Sequence, residues 1–480
     1  MYRFQLTTTL YYGPDSLSAL SELAGRRVLI VTDAFLAGSS LMVQVREALS
    51  GATIEVYDRV IPNPDVAAVA AGLAAFLAFE PEALLAVGGG SPIDTAKAVR
   101  KLALELGHRA EAGFYVIPTT SGTGSEGTSF AVVTDPVSHA KLPLSSDDML
   151  PDVAILDPDA VSTAPPFLVA DSGMDAISHA IEAYVAIGHN DFSDALAEKA
   201  LRIADTYLLR SYRSNLDVKA RTHQHTGATM AGIAFQNSGL GIVHSLSHAI
   251  GGSFKVAHGR LNGILLPHVI EFNAGELGIR PGEISDVARR YVTLARSLGL
   301  SASSDRNLVL GLVGWVERVR RELEMPATIA AAGIDRDAFR AAIPALAHTA
   351  LKDFCTSGNP IEVTVADLAA ILLEDDPFEP VLVVELRIVF PEMGSSAFCP
   401  HQGRSESQLG AQSHALHLVA LAQIVEILRL QLRQSLLHRL QAAKGLFQPF
   451  FAAAEVVFQR RCYILQVCYG IHRRHSLAVL

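Results

Sequence analysis

The sequence predicts an N-terminal α/β domain on a parallel sheet, then an all-α domain, then a C-terminal extension of different character. Three observations carry this. Between residue 27 and about residue 160, short β-branched runs alternate with Ala/Leu-rich helical stretches, the pattern of β-α-β units. Past about residue 166 strand signals fade and apolar residues recur at helical spacing. From Val381 onward there is no Asp and ten Arg plus Lys stand against five Glu, although the whole chain carries a formal net charge of −10. The implied domains are 1–165, 166–378 and a basic Leu/Arg/Gln-rich extension over 379–480.

The elements follow in chain order. "RRVLIVTD" reads as a buried strand, "SLMVQVREALSG" as a helix, "TIEVYDRV" as a strand and "VAAVAAGLAAFLAF" as a helix. "ALLAVGGGS" and "GFYVIPTT" are strands that run into Gly- and Thr-rich loops. Ligands of parallel sheets sit at such carboxyl ends. "STAPPFLVAD" marks the boundary, because its prolines interrupt both periodicities. "MDAISHAIEAYVA", "DALAEKALRIADTYLLRSY" and "NLVLGLVGWVERVRRELE" then show helical spacing.

With 480 residues, 50% hydrophobic and 18% charged, the chain has the balance of a folded globular protein with room for two or three domains. The acidic balance, with pI about 5.9, gives no attraction to phosphate backbones and argues against a nucleic-acid partner. The N-terminus "MYRFQLTTTLYYGPDS" lacks the basic and apolar regions of a signal peptide, and no long uncharged apolar run suggests a transmembrane segment. A cytoplasmic protein is expected. The four cysteines have no paired metal-site spacing, so any metal is to be held by His and carboxylate.

"AVGGGSPIDTAKA" follows a strand and opens a helix, so the N–H groups of Gly89, Gly90 and Ser91 can face a pyrophosphate at the positive helix end. It is not the G-x-G-x-x-G fingerprint, and the bland alternative is a simple turn. Thr119, Thr120 and Thr123 add hydroxyls at the adjacent strand end. Asp33 ends its strand either as an acceptor for ribose hydroxyls, which favours NAD over NADP, or as the N-cap of the next helix. Asp175 and His179 lie at i and i+4, as do His244 and His248, and His258 follows a Gly-Gly turn. That spacing stacks side chains on one helix face. A set of three His and one carboxylate suits Fe(II), Zn(II) or another first-row ion. For one pair an ordinary helix contact suffices; two pairs favour a metal centre. His189 and His268 read as structural.

The motifs "GGGSPIDTAKA", "IPTTSGTGSE", "PDVAILDP", "GMDAISHAIEAYV" and "GLGIVHSLSHAIGGSFKVAHGRLNGILLPHV" together resemble the iron-containing (group III) alcohol dehydrogenases over about residues 3 to 375. The resemblance implies a dehydroquinate synthase-like architecture with a Rossmann-like first domain. It assigns the metal to Asp175, His179, His244 and His258, and makes His248 a proton relay beside the nicotinamide. It places dinucleotide contacts at Asp33, Asn63, Gly89, Gly90, Ser91, Asp94, Thr119, Thr120, Thr123 and Lys141, and a substrate pocket at Phe130, Phe235 and Leu240. It further implies NAD(H) with Fe(II), or Zn(II) as the alternative, and small aliphatic aldehydes and primary alcohols such as propionaldehyde and 1-propanol as substrates. A homo-oligomer is expected, as is association with a bacterial microcompartment, from relatives that serve propanediol utilisation. Two departures stand out: Gly127 where the family usually has Val, which is expected to loosen its loop, and "CTSGNP" without the family's "TNPR" ending. The extension has no counterpart in the family. Two rival readings remain open at this level: a hydroxyacid–oxoacid transhydrogenase of the same fold, and a non-catalytic partner-docking protein.

Overall fold

The computed structural model describes residues 3–135, 141–275 and 284–374; the extension over 379–480 lies outside the described residues. Among the described residues no helix is long and apolar enough to cross a membrane. The first half alternates β1 (Thr9–Tyr12), β2 (Arg27–Val31), α1 (Ala34–Ala37), α2 (Ser40–Ala48), β3 (Thr53–Tyr57), α3 (Val66–Phe79), β4 (Ala83–Gly88), α4 (Gly90–Glu105) and β5 (Gly113–Pro118). β6 (Phe130–Thr134), β7 (Lys141–Ser145) and β8 (Val153–Leu156) complete it.

Six strands form one parallel sheet in the order β1-β8-β5-β4-β2-β3. The middle strands are apolar throughout because both faces are covered: every residue of β4 is buried, as are Val28 to Val31 of β2. The chain steps from β2 outward to β3 and returns on the other side of β2 as β4. Strand order therefore reverses between β2 and β4, and a crevice opens at their carboxyl ends. Thr32 ties the two ends together, its Oγ1 donating to the Val87 carbonyl at 2.8 Å. β6 and β7 form a separate antiparallel pair. The alternation of strands and helices did not foretell it, because a hairpin outside the sheet breaks that rhythm.

The second half is helical: α5 (Pro166–Val185), α6 (Asp191–Arg213), α7 (Val218–Ser238), α8 (Ile242–Phe254), α9 (His258–Ala274), α10 (Asp286–Ser297), α11 (Asp305–Glu322), α12 (Arg336–Leu351) and α13 (Val365–Glu374). α5 is the axis of this half. Every residue from Ala170 to Val185 is buried, as befits a helix enclosed on all sides, and it packs on α6, α7 and α9. Small residues permit the close approaches. A Cβ on Gly259 would lie 2.0 Å from the Asp171 carbonyl oxygen, so only glycine brings the first turn of α9 against α5.

Glycines also join the two halves. A Cβ on Gly122 would meet the Ser172 carbonyl oxygen at 2.4 Å, and one on Gly124, itself at φ 61°, would meet Gly232 Cα at 2.5 Å. Gly127 is buried with Ile233 Cγ1 2.9 Å from its notional Cβ. The loop is thus closed on α7, and the expectation that glycine loosens it gives way to a steric reason for having no side chain there. The "CTSGNP" turn is equally tight: Asn359 exchanges amide hydrogen bonds with Asn273 at 2.9 and 3.1 Å, and a Cβ on Gly358 would meet the Leu240 carbonyl oxygen at 2.2 Å.

Candidate active site

Two neighbouring loops build the crevice floor. α4 begins at Gly90 with Gly89 as an N-cap that offers no side chain, so the positive helix end is left open. The preceding Gly88 has φ 155°, and a Cβ there would fall 2.3 Å from Pro92 Cγ. The loop after β5 lies against this turn: notional Cβ atoms on Gly89 and Gly90 would sit 3.2 Å from Thr120 Cγ2 and 3.3 Å from Thr123 Cγ2. Thr119 N–H donates to the Gly88 carbonyl at 2.9 Å. Thr120 Oγ1 is buried with no protein partner, an unspent hydroxyl in a glycine-lined cradle.

The other expected dinucleotide residues gather on the same edge. Asn63, at φ 55°, donates its N–H to Ser91 Oγ at 3.3 Å and accepts from Lys141 Nζ at 2.5 Å. Asp33 does cap α1, with Oδ1 accepting from the Leu36 N–H at 2.9 Å. One carboxylate oxygen suffices for that, so capping and ribose binding are compatible. Asp94 differs: both its oxygens are engaged within the protein, by Ser125 Oγ at 2.9 Å and the Val132 N–H at 3.0 Å. It lies under the loop, beside the fully buried Lys97, whose Nζ donates to Ser125 Oγ, Thr128 Oγ1 and the Phe130 carbonyl at 2.7 to 3.0 Å. Burial lowers the Lys97 pKa to about 8, against the pull of Asp94 and Glu126.

Across the crevice, α5, α8 and α9 bring Asp175, His244 and His258 into one cluster of donor atoms, with His179 beside Asp175. Asp175 Oδ1 lies 3.6 Å from His258 Nε2, 3.8 Å from His244 Nε2 and 3.9 Å from His179 Nε2. These separations are too long for hydrogen bonds. Ligands about 2.1 Å from a shared ion in a tetrahedron are about 3.4 Å apart, so the spacing suits donors around a cation. The far nitrogen of each ring is occupied. His179 Nδ1 donates to the Gly122 carbonyl at 3.2 Å, and His244 Nδ1 donates to Glu182. His258 Nδ1 meets Ser247 Oγ at 2.8 Å, and that hydroxyl can give its own proton to the His258 carbonyl. Fixing Nδ1 leaves the Nε2 lone pairs turned inward. Asn262 Nδ2 approaches three of the converging atoms, at 2.8 Å from Asp175, 3.1 Å from His258 and 3.3 Å from His244, while its Oδ1 is buried without a partner. Acceptors sharing one short amide, beside an orphaned oxygen, fit a site made for a cation.

Electrostatics agree. Burial holds the His244 and His258 pKa values well below the ordinary range, so both rings are neutral donors at pH 7. Burial pushes Asp175 up, partly offset by His179 and Asn262, and pushes Glu182 up to about 7 despite the Val243 and Gly241 N–H groups. A cation at this point would favour the charged carboxylates and oppose the upward push of burial.

His248 stands one turn after His244, and its Nδ1 is 2.9 Å from Asp353 Oδ2. Burial raises the Asp353 pKa, but His248 and the Cys355 N–H more than offset it and hold the carboxyl below its usual range. With Nδ1 of His248 so engaged, Nε2 is the nitrogen left to exchange a proton. The rings form an arc. From His258 it runs to His248 (centroids 5.0 Å, 15° between planes), Phe354 (6.0 Å, 25°) and Phe130 (5.8 Å, 19°). On the other side it runs to His244 (5.1 Å), His179 (4.5 Å) and Phe235 (4.5 Å). Phe130 and Phe235 thus end the two arms; Phe235 and Leu240 are both buried in the helical core, Leu240 just before α8. His189 lies apart, 3.6 Å from Asp194 at the start of α6, and His268 lies farther along α9.

Sequence reasoning missed Glu182, Asp353, Phe354, Asn262 and Lys97. Glu182 carries a readable signal, seven residues past Asp175 and three past His179, on one helix face. Asp353 and Phe354 carry none, since more than a hundred residues separate them from His248.

Comparison with known proteins gives a consistent picture. Residues 7–158 match the family model for iron-containing alcohol dehydrogenase, and residues 169–375 match the model for the C-terminal part of the Fe-containing alcohol dehydrogenase family. The chain is 38% identical over 363 residues to 1-propanol dehydrogenase PduQ of Salmonella typhimurium, covering 75% of this chain and 96% of that protein. It is 34% identical to the NADPH-dependent butanol dehydrogenase of Clostridium saccharobutylicum, covering 77% and 97%. Among solved structures, an iron-containing alcohol dehydrogenase from Thermococcus thioreducens superposes with a TM-score of 0.70 at 32% identity, over 78% of this chain and all of the other.

Proposed function

Since the chain belongs to the iron-containing alcohol dehydrogenase family, we propose that it is a metal-dependent, NAD(H)-linked dehydrogenase interconverting small aliphatic aldehydes and primary alcohols, propionaldehyde and 1-propanol among them. The observation that carries the reading is the cluster of Asp175 with His244 and His258, His179 Nε2 lying beside Asp175, with the outer nitrogen of each ring engaged and Nε2 left for a cation. Those four residues would hold Fe(II), or Zn(II) in its place. The Gly89–Gly90 cradle, with Thr120 and Thr123, would take the dinucleotide phosphates, and the Asp33 carboxylate would favour NAD by repelling a 2′-phosphate.

When bound, the ion supplies Lewis acidity at the substrate oxygen and the nicotinamide supplies hydride exchange at the carbinol carbon. The chain's own residues do the rest. His248, with Nδ1 fixed on Asp353, holds Nε2 ready to take the alcohol proton or return it to the nascent alkoxide. The Phe130 and Phe235 arms present apolar faces to the alkyl group and keep water from the reacting carbon. Homo-oligomerisation and association with a bacterial microcompartment are part of the same proposal.

The test is anaerobic NADH oxidation with propionaldehyde, after chelation and again after adding back Fe(II) or Zn(II). Metal should restore turnover to the native protein and not to an Asp175→Ala/His258→Ala double variant. Equal turnover in both would sink the ligand assignment. NADH as sole reductant also separates this reading from a transhydrogenase that keeps its cofactor bound.

A further inference from the structure

We propose that Phe354 sets the length of alkyl chain this enzyme accepts, closing the substrate site against long primary alcohols and aldehydes. The inference rests on the dehydrogenase reading above and concerns the same site. Its basis is the arm of nearly parallel rings that leaves the donor cluster through His248 and runs by way of Phe354 to Phe130. A substrate whose hydroxyl lies between the donors and His248 has one apolar surface on this side along which to lay its tail, and Phe354 is its middle ring.

The ring cannot withdraw. It opens a short 3-10 turn, Phe354–Gly358, that is anchored at both ends. Before it, the Asp353 carboxylate is fixed by His248 and by the Cys355 N–H. After it, Cys355 is buried, and Thr356 Oγ1 bonds to Ser245 Oγ at 2.7 Å and to the Ala350 carbonyl at 2.6 Å. Between these anchors Phe354 keeps 37% of its surface exposed although it is a large apolar side chain. Its partner Phe130 belongs to β6 in the other half of the protein, its backbone carbonyl held by Lys97 Nζ at 2.7 Å. The two rings meet at 5.8 Å, too close to admit an alkyl chain between them. Tail atoms that fit inside gain about fourfold in binding per methylene, and those that would reach past the rings must displace one of them.

The experiment measures kcat/KM over the straight-chain aldehydes from acetaldehyde to octanal with NADH, for the metal-loaded native protein and for Phe354→Val and Phe354→Trp. Expected is a hexanal-to-propanal ratio at least about tenfold higher in Phe354→Val, the scale on which apolar pockets discriminate, and a lower ratio in Phe354→Trp. Phe354→Leu replaces the valine variant should that chain not fold. Active variants whose ratio stays within about twofold of the native value overturn the inference and leave the dehydrogenase reading standing. A native protein that is folded and metal-loaded but reduces none of these aldehydes overturns both.

Discussion

Glu182 touches no expected substrate position, yet it determines how His244 presents itself. Its carboxyl holds the ring's Nδ1 and also accepts from the Val243 N–H at 2.7 Å, so one buried group sets both the imidazole tautomer and the first turn of α8. Partners of this kind are worth roughly 10- to 100-fold in metal affinity. We therefore expect Glu182→Gln, which keeps the size and an acceptor but loses the charge, to bind Fe(II) or Zn(II) 10- to 100-fold more weakly by competition with a chelator, with secondary structure unchanged by circular dichroism. Undiminished affinity would show that the carboxyl only packs. At this scale the i,i+4 pairs made Asp175, His179 and His244 readable from sequence, because a helix face is a local property. Asp353 was not readable, because its partner is fixed by how α8 and the turn after α12 pack; Asn262, one turn past His258 on α9, carried the same local spacing and was overlooked.

α4 carries two roles on opposite sides. Its open N-terminus faces the crevice, and two turns later Lys97 reaches inward to hold the loop from Ser125 to Phe130. An ammonium wholly removed from water is costly, which is why its pKa falls from 10.5 to about 8. Below pH 8 the group is charged in both the folded and the unfolded chain, and the cost is fully present. Between pH 8 and 10.5 the folded protein has released a proton that the unfolded chain still binds, so this contribution to stability rises with pH. The expected gain is on the order of 3 kcal/mol across that window. Urea unfolding of the native protein and Lys97→Met at pH 7.5 and pH 10 checks it: the difference in stability between the two should shift toward the native protein at the higher pH. An unchanged difference would mean that the three oxygens around Nζ fully compensate its burial. β4 and α4 themselves were legible, since an apolar run ending in glycines is a strand meeting a helix; the inward Lys97 was not, because helical lysines ordinarily point to water.

At the scale of the whole molecule, the described residues close a core that ends with α13, where Leu368, Ile371 and Leu372 are buried to 1% exposure or less. The family match also ends at residue 375, and about three quarters of this chain spans 96% to 100% of the PduQ proteins it resembles. A chain ended after residue 378 is accordingly expected to fold, bind metal and reduce propionaldehyde at a rate within about threefold of the full-length protein. A chain ended at residue 363 should fail to fold, having lost the α13 contacts with α9 and α12. If the first truncation is inactive while folded, the extension takes part in catalysis.

The parallel α/β half, the helical half, the glycine turn after β4 and the Asp/His pairs on α5 and α8 were legible in the residues alone. Each of these is written in short-range pattern: strand and helix periodicity, glycines at a strand end, ligands one helical turn apart. Which ring nitrogens are engaged, that both Asp94 oxygens are spent on the loop while Asp33 caps α1 with one, and that Phe354 stacks on Phe130 were not legible there. Those are outcomes of packing between segments up to more than two hundred residues apart, where steric fit and the need to pair every buried polar atom select one arrangement among many that the same local patterns allow.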